Sequence, residues 1–368
     1  MPRRLAVRSV LALGLTVTGV AGCSDGPSNE PSSAAATGTV DDVAGAAGEL
    51  DVVGAISGLN SPWGLVTFAD GSYLVGSRNT GEIALVRPDD PGSARTIVTI
   101  DGVRAEGESG LLGLAASPDE DTVFAYFTTD DDSRVVAMSW DGSTIGEPEV
   151  IVEGIPGGAT FHQGGGLAVG PDDLLYVTTG DNGVPESSQD EDSLSGKVLR
   201  YTLDGAPAPE NPFDSAVFSL GHRNVEGLTF DAEGRLWASE FGQNEFDELN
   251  LIEAGNNYGW PAVEGTGGGD QYVDPQVVWS TEDASPAGLA YWDGSLWMAA
   301  LRGQTLWEIP VSGSGTAESP IAHLTGEYGR LRASHVAPDG ESLIVGTSNT
   351  DGRGQPSDGD DRLLNITR

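Results

Sequence analysis

Residues Phe68-Ala-Asp-Gly-Ser-Tyr-Leu-Val75 form a turn built on Asp-Gly and then a short alternating strand, and the phrase recurs along the chain. The further copies are Ser117-Pro-Asp-Glu-Asp-Thr-Val-Phe-Ala-Tyr126, Gly170-Pro-Asp-Asp-Leu-Leu-Tyr-Val177, Asp231-Ala-Glu-Gly-Arg-Leu-Trp-Ala238, Trp292-Asp-Gly-Ser-Leu-Trp-Met298 and Ala337-Pro-Asp-Gly-Glu-Ser-Leu-Ile344. Successive turns lie roughly 45–60 residues apart, the span of a four-stranded repeat. Gly accepts the positive φ of a tight turn, so Asp-Gly between hydrophobic runs signals a hairpin. No long stretch past Leu50 carries a helical stripe. Repeats that cannot bury both faces alone stack around a channel, and six of them predict an all-β, six-bladed β-propeller over 50–368. A β-sandwich also has many short strands, but it gives no reason for repeats at blade spacing. Closure is expected to pair a strand near Asp51–Ile56 with a last strand near Arg362–Ile366.

The N-terminus reads as an address. Arg3, Arg4 and Arg8 precede an apolar run from Val10 to Val20, too short to span a bilayer as a helix. It ends in Val20-Ala21-Gly22-Cys23, which resembles a bacterial lipobox. Residues 1–22 are therefore expected to be a signal peptide and Cys23 to carry lipid, making an extracytoplasmic lipoprotein. Arg3-Arg4 also leaves twin-arginine export open. Residues 24–49 are Ser, Ala, Gly, Pro and acid, a disordered tether. The single Cys excludes an internal disulfide and a cysteine metal site. A net charge of −38 repels nucleic acid and anionic lipid, so any membrane contact is expected through Cys23 alone. In so acidic a chain, clusters of basic residues need a local reason.

Three segments carry candidate chemistry. In Phe161-His162-Gln-Gly-Gly-Gly166, His162 precedes glycines that let a flat ligand approach the backbone, and Asp181 follows one strand later. A carboxylate on one imidazole nitrogen fixes the tautomer and strengthens the other as a base; a solvated loop histidine is the plain alternative. The second segment runs from Gly221-His222-Arg223-Asn224 through Glu240 to Asn250 and Asn257-Tyr258-Gly259-Trp260-Pro261, acids and amides spaced by glycine that suit oxygen ligation of Ca²⁺. The third is Gly329-Arg330-Leu331-Arg332. On a strand its arginines share a face and repel unless an anion lies between them, or else they belong to an outer salt-bridge ladder.

Together with Ser61-Pro-Trp-Gly64, Glu108-Ser-Gly-Leu-Leu-Gly-Leu-Ala115, Ser195-Gly-Lys-Val-Leu-Arg200 and Asp247-Glu-Leu-Asn250, these segments resemble the PQQ-dependent glucose/sorbosone dehydrogenase family over about residues 50–366. The resemblance implies PQQ and Ca²⁺ as cofactors and a small sugar as substrate, oxidised to its lactone. It implies His162 as general base, with Asp181 orienting it. Glu108, Arg223, Asn224, Arg330, Arg332 and, by a looser alignment, Arg302 would contact the cofactor. Backbone carbonyls of Gly242 and Gln243 would ligate Ca²⁺, and Glu248 and Tyr258 would hold a further Ca²⁺. The family often has Arg at the position of Gly166 and Pro at that of Gln243; a carbonyl ligand tolerates the second change. A calcium-dependent lactonase on the same fold would need no arginine cluster, and a non-catalytic binding propeller predicts erosion of the site residues, none of which is eroded.

Overall fold

The computed structural model describes residues 50–87 and 90–368, without the side chains of 91–93. The expected signal peptide, lipidated Cys23 and tether lie outside the described residues. From Leu50 onward the chain forms six four-stranded antiparallel sheets, with one short 3₁₀ helix, Pro185–Gln189, and no α-helix among the described residues. The innermost strands are Pro62–Thr67, Leu111–Ala116, Leu167–Val169, Val225–Phe230, Pro286–Trp292 and Leu331–Val336, and they define blades 1 to 6 in that order. Each repeated turn of the sequence is the hairpin that joins an innermost strand to the second strand of its blade. Blade 6 is completed by the N-terminal strand: Asp51 pairs with Thr367 and Ile56 with Leu363, the expected closure.

Six buried apolar clusters lie one between each pair of neighbouring blades. Leu74 and Ile83 of blade 1 pack with Leu111 and Val123 of blade 2, for example. Each such aliphatic side chain contributes about 1.5–3 kcal/mol on burial, so the faces between blades hold the ring together. The turns set its register: in blade 4 the Asp231 carboxylate accepts bonds from the Arg235 N–H and, at 2.8 Å, from the Trp237 indole, fixing hairpin and core together.

A second periodicity sits on the innermost strands. Gly64, Gly113, Gly166, Gly227, Gly288 and Ala333 occupy one level of the ring. A Cβ on Gly64 would lie 2.4 Å from the Leu112 carbonyl, and one on Gly227 would lie 2.2 Å from that of Ala287. Backbones of adjacent blades therefore approach too closely there for larger residues. Gly166 belongs to this level, where an added Cβ would meet Thr178 Oγ1 at 2.8 Å, so an arginine does not fit without a shift. Register shifts in five of the innermost strands bracket or adjoin the same level, bulges that re-aim the side chains before them.

Candidate active site

Antiparallel blades sort the chain by function. The Asp-Gly turns lie at one end of the ring. The segments that enter the innermost strands and those that leave the second strands lie at the other. Glu108, His162, Arg223, Asn224 and Arg330 come from the entering segments, and Arg332 from the start of its strand; Arg78, Asp181, Gly242, Arg302 and Asp351 follow second strands. A cavity of about 650 Å³ runs along the channel from the turn end, lined by Phe68, Pro118, Phe230 and Pro338, up to Trp63 and Glu226. The candidate site caps its other end.

His162 adopts a left-handed backbone (φ 58°), which turns its ring toward Asp181. Nδ1 stands 2.6 Å from Asp181 Oδ1, and Nε2 makes no hydrogen bond among the described residues. The His162 N–H donates to Glu108 Oε2 at 2.7 Å. Asp181 is buried; its two oxygens also accept the Gly183 N–H at 2.8 Å and the Trp260 indole N–H at 2.9 Å. Burial pushes its pKa up, but the His162 contact and these donors outweigh that and hold it below the usual carboxylate range.

The cationic half of the site begins at Arg223, whose guanidinium lies over the Trp260 ring at 5.5 Å and donates to the Phe241 carbonyl. Asn224 is buried, accepting from the Gly164 N–H at 2.9 Å and donating to Glu226 at 3.3 Å. Glu226 in turn pairs with Arg332 at 2.5 Å, joining the innermost strands of blades 4 and 6. Burial raises the Glu226 pKa in spite of that partner. Arg332 also lies over Trp63 at 5.7 Å. Arg330 differs from the expected same-face pair. It precedes the strand, a register shift separates Leu331 from Ala333, and it pairs with Asp351 at 3.1 Å. Each of the two arginines thus has its own carboxylate, and the Arg332–Glu226 pair links two innermost strands. Arg302 stands apart: it is exposed and turned to Glu282 at 3.0 Å, with no contact to the Arg330–Arg332 group.

The loop after the second strand of blade 4 offers free oxygens. The carbonyls of Gly242 and Gln243 accept no hydrogen bond among the described residues. Their N–H groups are held from behind, Gly242 by Asp247 and Gln243 by Glu264. One Glu264 oxygen accepts four consecutive N–H groups, Gln243 to Phe246, at 2.7–3.0 Å. Burial raises the Glu264 pKa, but those four donors win and leave it lowered. Glu248 is buried near Glu240, and burial with that like charge pushes it up to about 8. The Tyr258 hydroxyl is committed to the Leu251 carbonyl at 2.6 Å, so its main-chain oxygen is the group it can offer. No cluster of three or more His, Cys, Asp or Glu side chains suited to a metal occurs among the described residues.

Sequence reasoning passed over Glu226, Glu264, Arg78, Arg353 and the Trp260 N–H. Glu226 had a signal: it stands just before the small residue of its innermost strand, where Trp63 and Arg332 stand in their own blades, and Arg332 reaches both of the others. Arg353, far along the chain, reaches Glu108 at 3.3 Å.

The chain matches the family described as glucose/sorbosone dehydrogenase over residues 59–356. It is similar to the PQQ-bound aldose sugar dehydrogenase of Streptomyces coelicolor, 49% identical with a TM-score of 0.82 over 87% of this chain and 98% of that one. It is 26% identical to the aldose sugar dehydrogenase YliI of Escherichia coli over 78% of this chain and 87% of the relative. It is also 34% identical to quinoprotein glucose dehydrogenase B of Acinetobacter calcoaceticus over 57% of this chain and 52% of the relative. The chain belongs to the glucose/sorbosone dehydrogenase family, a family of oxidoreductases.

Proposed function

We propose that the protein oxidises an aldose-type sugar to its lactone with PQQ and Ca²⁺, using His162 as general base. The observation that carries this reading is a pair of buried guanidinium nitrogens without hydrogen-bond partners among the described residues, Arg223 Nε and Arg332 Nε, together with the His162–Asp181 pair. Leaving such a donor unsatisfied costs about 1–3 kcal/mol, which a carboxylate-rich ligand offsets. PQQ is a tricarboxylate, and Arg223, Asn224, Arg330 and Arg332 are the groups to hold it, with Glu108 beside the substrate. Arg302 is an outer contact that has to leave Glu282. The free carbonyls of Gly242 and Gln243 suit a hard cation such as Ca²⁺, and Glu248 with the Tyr258 carbonyl suits a further one. When bound, PQQ with Ca²⁺ would supply the two-electron acceptor for a hydride from the sugar carbon.

The rest of the chemistry falls to the chain. The ionised Asp181 keeps the proton of neutral His162 on Nδ1, which leaves Nε2 with its lone pair toward the open site. Nε2 takes the hydroxyl proton of the sugar as the carbon is oxidised, and Asp181 stabilises the imidazolium so formed. The test is reconstitution of the apo protein with PQQ and Ca²⁺, followed by dye reduction across a panel of aldoses and identification of the product. Lactone formation that depends on PQQ supports the reading. A protein that binds no PQQ and reduces no dye with any aldose overturns it in favour of a binding propeller.

A further inference from the structure

Arg78 follows the second strand of blade 1 and faces the site from beside Arg332. Its backbone is locked between blades, donating to the Ser61 carbonyl at 3.1 Å and accepting from the Leu111 N–H at 3.0 Å. Its stem passes Gly110, where a Cβ would come within 2.6 Å of Arg78 Cγ; Gly110 leaves the room that this side chain occupies. Nε donates to Asn79 Oδ1 at 3.1 Å, and Asn79 is itself held by Ser61 Oγ at 2.8 Å. The head group is therefore aimed by a small built scaffold.

The charge balance around it is uneven. Arg330 pairs with Asp351, Arg332 with Glu226 and Arg353 with Glu108. Arg78 lies in the field of Arg332, Arg353, Asp351 and Glu226, yet has no carboxylate within ion-pair distance among the described residues. Its terminal nitrogens donate to no protein partner among the described residues. Burial, and then the neighbouring Arg332, push its pKa down. A buried cation left unpaired is costly, and a fold keeps one where an anion arrives to meet it. Arg332, the other buried arginine, already has Glu226.

We propose that Arg78 is a carboxylate-binding residue of this site, gripping one carboxylate of the tricarboxylate cofactor through its two terminal nitrogens. The inference rests on the PQQ reading above and adds a fourth side of the grip, from blade 1. Its planar fork matches a carboxylate in two parallel bonds, which a lysine cannot supply.

The test compares wild type, Arg78→Met and Arg78→Lys as apo proteins, titrated with PQQ at fixed Ca²⁺ and followed by quenching of tryptophan fluorescence. Arg78→Met is expected to weaken PQQ binding tenfold or more while the apo protein keeps or gains thermal stability, because an uncompensated buried charge is gone. A purely structural arginine gives the opposite pattern, a less stable apo protein with unchanged affinity, and that result overturns the proposal. The trimethyl ester of PQQ is the second probe. It is expected to bind wild type and Arg78→Met alike, since the carboxylate that Arg78 grips has been neutralised; a preserved tenfold difference overturns the assignment. Should Arg78→Met not fold, Arg78→Lys decides: a loss of threefold or more supports the fork geometry, and wild-type affinity overturns it. Failure of wild type itself to bind PQQ condemns the functional reading instead, a distinct result.

Discussion

The indole N–H of Trp260 donates to Asp181 Oδ2 at 2.9 Å, while the same ring lies under the guanidinium of Arg223 at 5.5 Å. One side chain from blade 4 thus braces both the histidine pair of blade 3 and the first arginine of the cationic half. Trp260→Phe keeps an aromatic ring and loses the N–H together with the five-membered ring of the indole. A hydrogen bond to a charged group contributes about 1.5–3 kcal/mol, so kcat is expected to fall roughly tenfold with PQQ affinity little changed. Trp260→Leu removes the ring as well and is expected to weaken PQQ binding too. Steady-state kinetics beside PQQ titration separates the two; wild-type kcat in Trp260→Phe would show that the bond does not position Asp181.

Base and cofactor grip separate in a second pair of variants. His162→Ala is expected to leave PQQ binding nearly intact and to lower turnover by roughly 10²–10⁴, the usual loss on removing a general base. Arg332→Ala leaves Glu226 buried without its partner, and PQQ affinity is expected to fall by about 2–5 kcal/mol. Saturating PQQ then restores much of the Arg332→Ala rate and none of the His162→Ala rate. Equal, rescuable losses in both would make His162 a cofactor contact.

The fold was legible because its signal is local. An Asp-Gly turn needs only its own residues, and the six copies fall at the six hairpins. The site was legible where chemistry and position coincide, as in His162 and Asp181, which an out-and-back strand brings together. It was not legible where a partner comes from a distant blade. Arg332 meets Glu226 from a sequence separation of 106 residues, and no pattern in either segment announces the other. The pairing of Arg330 with Asp351 was hidden by the bulge at Leu331, which no alternation rule contains. Arg302 shows the converse: its place after a second strand suits the site, but a nearby acid, Glu282, takes its side chain.

Glu264 offers a third test. Its four N–H donors turn the 242–246 loop so that the Gly242 and Gln243 carbonyls stay free of protein partners. Glu264→Ala releases that loop. The Ca²⁺ concentration that half-saturates PQQ binding is expected to rise tenfold or more, with smaller change at saturating Ca²⁺. An unchanged Ca²⁺ requirement would mean that the loop holds its shape without the carboxylate.

The last prediction concerns pH and a residue outside the site. His335 lies on the innermost strand of blade 6, lines the channel cavity and has Thr67 Oγ1 as its polar neighbour at 3.4 Å. Burial pushes its pKa down to about 4, below the usual 6.5 of the unfolded chain. The folded state therefore keeps His335 neutral where the unfolded state binds a proton. Stability from this residue is fully present above about pH 6.5 and is lost as pH falls toward 4. The slope is at most about 1.4 kcal/mol per pH unit, and smaller where channel water reaches the ring. His335→Gln removes the titration and leaves the carboxylates that also titrate in acid. Urea midpoints for both proteins, measured from pH 7 to 4.5, are expected to converge on or cross in favour of the variant as pH falls. Curves that stay parallel would show that the channel hydrates His335 well enough to give it an ordinary pKa.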